Sequence, residues 1–203
     1  MLLTDKKPLN AHFSFQGFNC LIDMSFDNIL TVLEVLNDQD LLNSEKAQLI
    51  LYLLTGDEVF EADDFLLNDD NVEFAEGFIR EFFKTFMESE QMEQAVPKDI
   101  MGNPLPREEK EKSFDFSYDA GYIYASFMQA YQMDLYEQHG KLHWEVFLAL
   151  FNSLPADTMI MHVIDIRTRD IPTGKGYEEQ ARALREAKSK YALPEYLVES
   201  GGE

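Results

Sequence analysis

The sequence predicts a mostly α-helical protein, a compact multi-helix bundle opened by a short extended or β-hairpin segment. Three observations predict it. From Phe26 onward, apolar residues recur at three- and four-residue spacing in several separate stretches, the period of a helix with one buried face. Only the start, HFSFQGFNCLID, alternates apolar and polar residues in part, as a strand pair does. Sixteen phenylalanines and nine tyrosines in 203 residues supply the apolar mass that a disordered chain lacks, in a chain long enough to bury a sizeable core.

Each element follows from its residues. Residues 1–24 read as extended or irregular, with Gly17 placed to supply a turn where they pair as a hairpin. Ser25 is positioned to cap a helix with Phe26, Ile29, Leu30, Leu33 and Leu36 on one face. Ser44 is positioned to cap the next, with Ala47, Ile50, Leu51 and Leu54 inward and Gly56 as its stop. DEVFEADDFLLNDDN is an acidic connector with aromatic punctuation. A long helix follows, with Val72, Ala75, Phe78, Ile79, Phe82, Phe83 and Phe86 inward and Glu73, Glu76, Glu81 and Glu88 outward.

Ala95 to Ser113 holds three prolines, one glycine and a dense charge cluster, and reads as a linker. It divides the chain into an N-terminal part, 1–94, and a C-terminal part, 114–203, expected to pack as one unit because each offers few helices. Asp119 reads as the N-cap of a helix with Ala120, Ile123, Tyr124, Phe127, Met128 and Tyr131 inward; Tyr122, Ser126, Gln129 and Gln132 face away. After a break near Gly140, residues 141–154 form a helix apolar almost all round, which is either central or covers a partner. Ile160, Val163, Ile164 and Arg167 share one face of a short helix, IPTGKG is a loop, and a last helix runs from about Tyr177 to Tyr191.

The formal charge is −21, which repels phosphate backbones and argues against broad nucleic-acid contact. The charge is uneven. Asp57 to Glu90 carries twelve acids against Arg80 and Lys84; Arg167 to Lys190 carries seven bases against four acids. These read as solvated helix faces, or as ends that attract each other within one molecule or between copies. Cys20 is the sole cysteine, so no intramolecular disulfide points to an oxidising compartment. The start MLLTDKKPLN lacks the apolar core of a signal peptide, and the longest apolar run, Leu49–Leu54, is far below a membrane span.

No constellation of residues calls for catalysis, a cofactor or a metal. His139 and His143 stand four apart, but Gly140 lies between them and no glutamate takes the place a zinc protease needs. Asp115, Asp119 and Asp134 are too widely spaced to act as a pair without tertiary help. NDDNVEFAEGF lacks the ligand offsets of a calcium loop. There is no phosphate-binding loop, dinucleotide fingerprint or nucleophile elbow. What remains is the aromatic run Tyr122, Tyr124, Tyr131, Tyr136 and Trp144, too much to bury in one small helical domain and well suited to a protein interface. Tyr124 and Tyr131 read as core; Tyr122 and Tyr136 stay open between interface and plain surface. The physical reading is a non-enzymatic binding protein.

Four segments carry a resemblance: Asp119-Ala120 opening a tyrosine-rich helix, Leu142-His143-Trp144 at the start of an apolar helix, Ile164 to Arg169, and Tyr191 to Pro194. In that order, with IDMSFDNILTVLEVLND before them, they resemble the bacteriophage gene-product-fifteen family from the tail-gene clusters of long-tailed phages and prophages of Gram-positive bacteria. The resemblance implies a tail assembly chaperone in the host bacterial cytoplasm. Its implied partners are the tape measure protein, the major tail protein of the tube and further copies of itself. It implies no catalytic residues. The candidate contact residues are Tyr122, Tyr136, Trp144, Arg167 and Arg169; a structural role is implied for Trp144 with His143, and ion pairing, with an acidic neighbour among the candidates, for the two arginines. An acidic nucleic-acid mimic that inhibits a host DNA-binding protein and a structural virion component are the alternatives.

Overall fold

The computed structural model describes residues 8–61, 65–87 and 113–194. Residues 95–112 of the expected linker, Glu88 and the C-terminal ESGGE lie outside the described residues. The fold class is the one the sequence predicts: among the described residues there are seven α-helices and one two-stranded antiparallel hairpin. The chain forms two compact units, the first from Met1–Glu108 with Gln138–Ala149, the second from Glu109–Glu137 with Leu150–Glu203.

The first unit opens with β1 (Asn10–Phe15) and β2 (Phe18–Asp23), paired so that Phe13 faces Cys20 and His12 faces Leu21. The alternation buries Phe13 and Ile22, while His12, Ser14, Asn19 and Leu21 face solvent. Burial raises the Cys20 thiol above its ordinary pKa. The two-residue turn has positive φ at Gln16 (47°) and Gly17 (86°), the signs a type I′ turn requires. Glycine meets that demand freely and glutamine does not. Gln16→Asn is therefore expected to stabilise the protein by about 0.5 kcal/mol, read as a higher urea midpoint at unchanged slope.

Three helices carry the hairpin: α1 (Phe26–Asn37), α2 (Asn43–Thr55) and α3 (Asp69–Phe82). A π-helical turn, Phe83–Met87, continues α3. The buried faces of α2 and α3 are those the spacing predicts, with Ala47, Ile50, Leu51 and Leu54 on α2 and Ala75, Phe78 and Phe82 on α3, whereas α1 buries Phe26, Ile29 and Val32 and leaves Leu36 of its expected face exposed. The caps differ. Ser25 stands at the N-cap of α1 but its hydroxyl does not cap; its amide donates to the Asp23 carboxylate at 2.9 Å. On α2 the helix begins before Ser44, and Glu45 accepts from the amide of the N-cap residue Leu42 at 2.8 Å, so a carboxylate reaching back, and not the Ser44 hydroxyl, serves the start of this helix. Gly56 ends α2 at φ 66°, as expected.

Phenylalanine holds hairpin and α3 together. Phe78 meets Phe13 edge-on at 4.9 Å, Phe15 lies 5.5 Å from Phe74, and Phe18 touches Phe60 at 5.8 Å. Gly77 makes this approach possible: a Cβ there would sit 2.8 Å from the tip of the Phe15 ring. The acidic connector folds into two 3-10 turns, Glu58–Glu61 and Phe65–Leu67, whose Phe60 and Phe65 rings turn inward.

Residues 138–149 complete this unit through backbone pairing. The Trp144 amide donates to the Met24 carbonyl at 2.8 Å, the Phe26 amide to the Leu142 carbonyl at 2.9 Å, and the Gly140 amide to the Asp27 carboxylate at 2.9 Å. These bonds fix Leu142 and His143 in a bridge to Ser25, so the helix expected over 141–154 starts later. It is α5, Trp144–Asn152. Its first turns place Trp144 and Phe147 beside Phe26, which stacks on Phe147 at 5.0 Å. The boundary between units falls within α5, between Ala149 and Leu150.

The second unit contains α4 (Ala120–Tyr131), the end of α5, α6 (Met159–Thr168) and α7 (Glu178–Lys190). Ile160, Val163 and Ile166 of α6, Ile123 and Phe127 of α4, and Ala181 of α7 form its core with Leu193. Phe114 and Phe116 close over Phe151 at 4.9 and 5.6 Å. The α4 face is rotated from the one expected. Ala120 and Met128 are exposed and Ser126 is buried. The Ser126 hydroxyl donates to the Tyr122 carbonyl at 2.7 Å and accepts the Ile160 amide at 3.1 Å. A helix N-terminus leaves amides without partners, and this serine supplies one to α6. Ser126→Ala leaves that buried amide unpaired and should cost about 1–3 kcal/mol, measurable by chemical denaturation.

Candidate functional site

The described residues of the second unit carry seven tyrosines, and α4 with its flanks carries five of them. Tyr122 is half-buried with its ring 6.2 Å from Tyr191. Tyr131 turns inward and its phenol donates to the Leu150 carbonyl at 2.8 Å. Tyr136 lies in a 3-10 turn after α4, 72% exposed, its ring 5.2 Å from Tyr124. The Tyr124 phenol is held above its ordinary pKa by partial burial, then by the Asp134 carboxylate that accepts its hydrogen bond, with Tyr136 and Glu137 adding to the effect. The Tyr136 ring thus sits at the edge of an acidic rim.

The other candidates stand elsewhere. Trp144 is 3% exposed and stacks on Phe147 at 5.6 Å within the first unit. Arg169 is exposed and pairs with Asp165 one turn earlier on α6. Arg167 is buried, its side chain 8% exposed against 0% for Asp119. Its two terminal nitrogens reach Asp119 at 2.6 and 2.9 Å. Its Nε donates to the Tyr191 carbonyl at 2.6 Å and Nη1 to the Ser113 carbonyl at 3.2 Å. Lys188 donates to the Arg167 carbonyl at 2.9 Å. Asp119 precedes α4 as expected, but its carboxylate caps nothing; it accepts from Arg167 and from the Asp115 amide.

His143 is buried, and its Nδ1 accepts the Glu145 amide at 3.1 Å, capping the start of α5. The His139 ring packs edge-on against Phe26 at 5.6 Å. Among the described residues no three His, Cys, Asp or Glu side chains gather as metal ligands, and no helix is long and apolar enough to cross a membrane.

The family described as bacteriophage Gp15 protein matches residues 4–193. The chain belongs to the bacteriophage Gp15 protein family. No curated protein and no solved structure matches it. In this Gp15 family member, three of the four segments that carried the resemblance meet at one point: Asp119, Arg167 and the Tyr191 carbonyl. The fourth, Leu142-His143-Trp144, is the bridge to residues 24–26. These segments hold the fold together. The exposed uncharged surface of the second unit lies on the solvent side of α4 and at Tyr136.

Sequence reasoning missed the Asp119–Arg167 pair and the Ser126 contact. The signal for the first was Arg167 falling in register with Ile160 and Val163 on the apolar face of its helix. Such charges are buried only when paired.

Proposed function

We propose that this phage protein is a non-enzymatic tail assembly chaperone that binds the tape measure protein, and through it the major tail protein, in the host bacterial cytoplasm. The observation that carries the reading is the surface of α4. In a chain of net charge −21, a solvent-facing helix side without charge, edged by the exposed Tyr136, has the character of a protein contact. A tape measure rich in apolar helical stripes is a partner such a surface can cover. The acidic remainder keeps the assembly in solution by mutual repulsion.

A chaperone leaves when its work is done. Mass spectrometry should detect the protein in infected-cell lysates and in tail intermediates, and not in purified mature particles. Stoichiometric recovery from mature particles would make it a structural component instead.

A further inference from the structure

The hairpin is a sheet of two strands, so each strand has one edge with no strand beside it. Its register pairs Phe15 with Phe18, Phe13 with Cys20 and Ala11 with Ile22. Across a two-residue turn these are the pairs that exchange both backbone hydrogen bonds. The amides and carbonyls of Asn10, His12 and Ser14 therefore point the other way, out of the β1 edge. Among the described residues, no backbone or side-chain group bonds them, and all three residues are exposed.

Sheet edges are ordinarily guarded by a charge, a proline or a bulge. β1 carries none of these: NAHFSF has no acidic residue, lysine, arginine or proline, and its register runs without a bulge. The β2 edge is different. It ends in Asp23, whose carbonyl accepts from Asn28 and whose carboxylate accepts from the Ser25 amide.

The β1 strand is complementary to itself. Laid antiparallel on a second β1 with His12 opposite His12, it sets Asn10 against the other copy's Ser14, so the outward groups of all three residues find partners. On the core side the same register sets Ala11 against Phe13 and Leu9 against Phe15. Leu9, Ala11 and Phe15 are only half-buried in one copy, and each gains an apolar neighbour across the junction. A slip of one residue would set core side against solvent side. Pro8, which has no amide, and the Gln16–Gly17 turn bound the ladder at its two ends. In a chain of net charge −21, two copies repel, and approach is least opposed along a strand without charge. A helical partner cannot take this place, since its backbone groups are bonded within the helix.

We propose that β1 is a dimerisation edge, joining two copies in a four-stranded sheet through an antiparallel β1–β1 pair centred on His12. This goes beyond the chaperone reading and does not depend on it, because no tape measure takes part. The test uses the full chain alone. Sedimentation equilibrium follows a concentration series at low and high sodium chloride, and amide exchange is read residue by residue by NMR. The amides of Ala11, Phe13 and Phe15 are held by β2 in a single copy; those of Asn10, His12 and Ser14 are held only across the junction.

The expected result is a reversible dimer that salt tightens by screening the repulsion, with the Asn10, His12 and Ser14 amides slowed as concentration rises. His12→Glu sets like charges opposite each other at the centre, and Ser14→Pro removes an amide that β2 does not use. Each should weaken the dimer at least about tenfold, and either suffices if circular dichroism shows the other unfolded. His12→Val keeps a strand-forming edge and should retain the dimer. A monomer at every concentration, with those three amides exchanging freely, overturns the proposal. Protection of them that does not change with concentration also overturns it, because the edge is then covered within one copy. So does a dimer that salt dissociates, or one that survives both His12→Glu and Ser14→Pro, since its junction then lies elsewhere. None of these outcomes touches the chaperone reading.

Discussion

Arg167→Met is expected to destabilise the protein by about 3–5 kcal/mol, the usual result of removing one member of a buried ion pair. Asp119 would keep a carboxylate with no solvent exposure and lose two hydrogen bonds to the guanidinium. The Tyr191 and Ser113 carbonyls would lose their donor as well. Lysine does not substitute, because the four contacts use the planar fork of arginine in several directions at once. Arg167→Lys should therefore recover only a small part of the loss. The double variant Arg167→Met/Asp119→Leu removes both charges and should be much less destabilised than Arg167→Met alone. Urea denaturation of the three variants is the check. A loss below 1 kcal/mol for Arg167→Met would mean that this pair is solvated and cheap to break, like an exposed one.

The second large effect is expected at Phe78. The side chain is fully buried and meets Phe13, Phe15, Phe18 and Phe74. Phe78→Ala removes the ring that ties α3 to both strands and should cost about 3–5 kcal/mol, the transfer term plus the cavity. Phe78→Leu retains most of the volume and should cost markedly less. Hydrogen exchange should place the loosening in the β1–β2 hairpin and α3. A Phe78→Ala variant as stable as the wild type would contradict the packing described for the first unit.

The fold was legible wherever a period was strong. The alternation in HFSFQGFNCLID and Gly17 mark the hairpin and its turn, and the three-four spacing from Val72 to Phe86 marks α3 and its face. Less was legible where the deciding contact lies far along the chain. Ser126 looks like a solvent residue until the α6 amide that needs it is known. Asp119 looks like a cap because its arginine is 48 residues away. Leu142 to Trp144 join residues 24–26 by backbone bonds, which leave no side-chain period. The site followed the same division. Tyr136 was open to an interface because tyrosine tolerates both apolar contact and water. Trp144 entered the contact candidates because its helix is apolar nearly all round and shows no polar face to tell inside from outside. The rotation of α4 exposed Met128 and Ala125, which only the position of α6 decides.

The role proposed for this Gp15 family member is to hold the tape measure protein during tail assembly. The most direct test is co-expression of the chain with tape measure fragments from its own gene cluster, followed by affinity purification and multi-angle light scattering of what elutes. The expected result is a soluble complex with several copies of this protein per fragment, while the fragment alone is insoluble. Fragments that stay insoluble beside the protein, with the protein eluting by itself in every pairing, would contradict it.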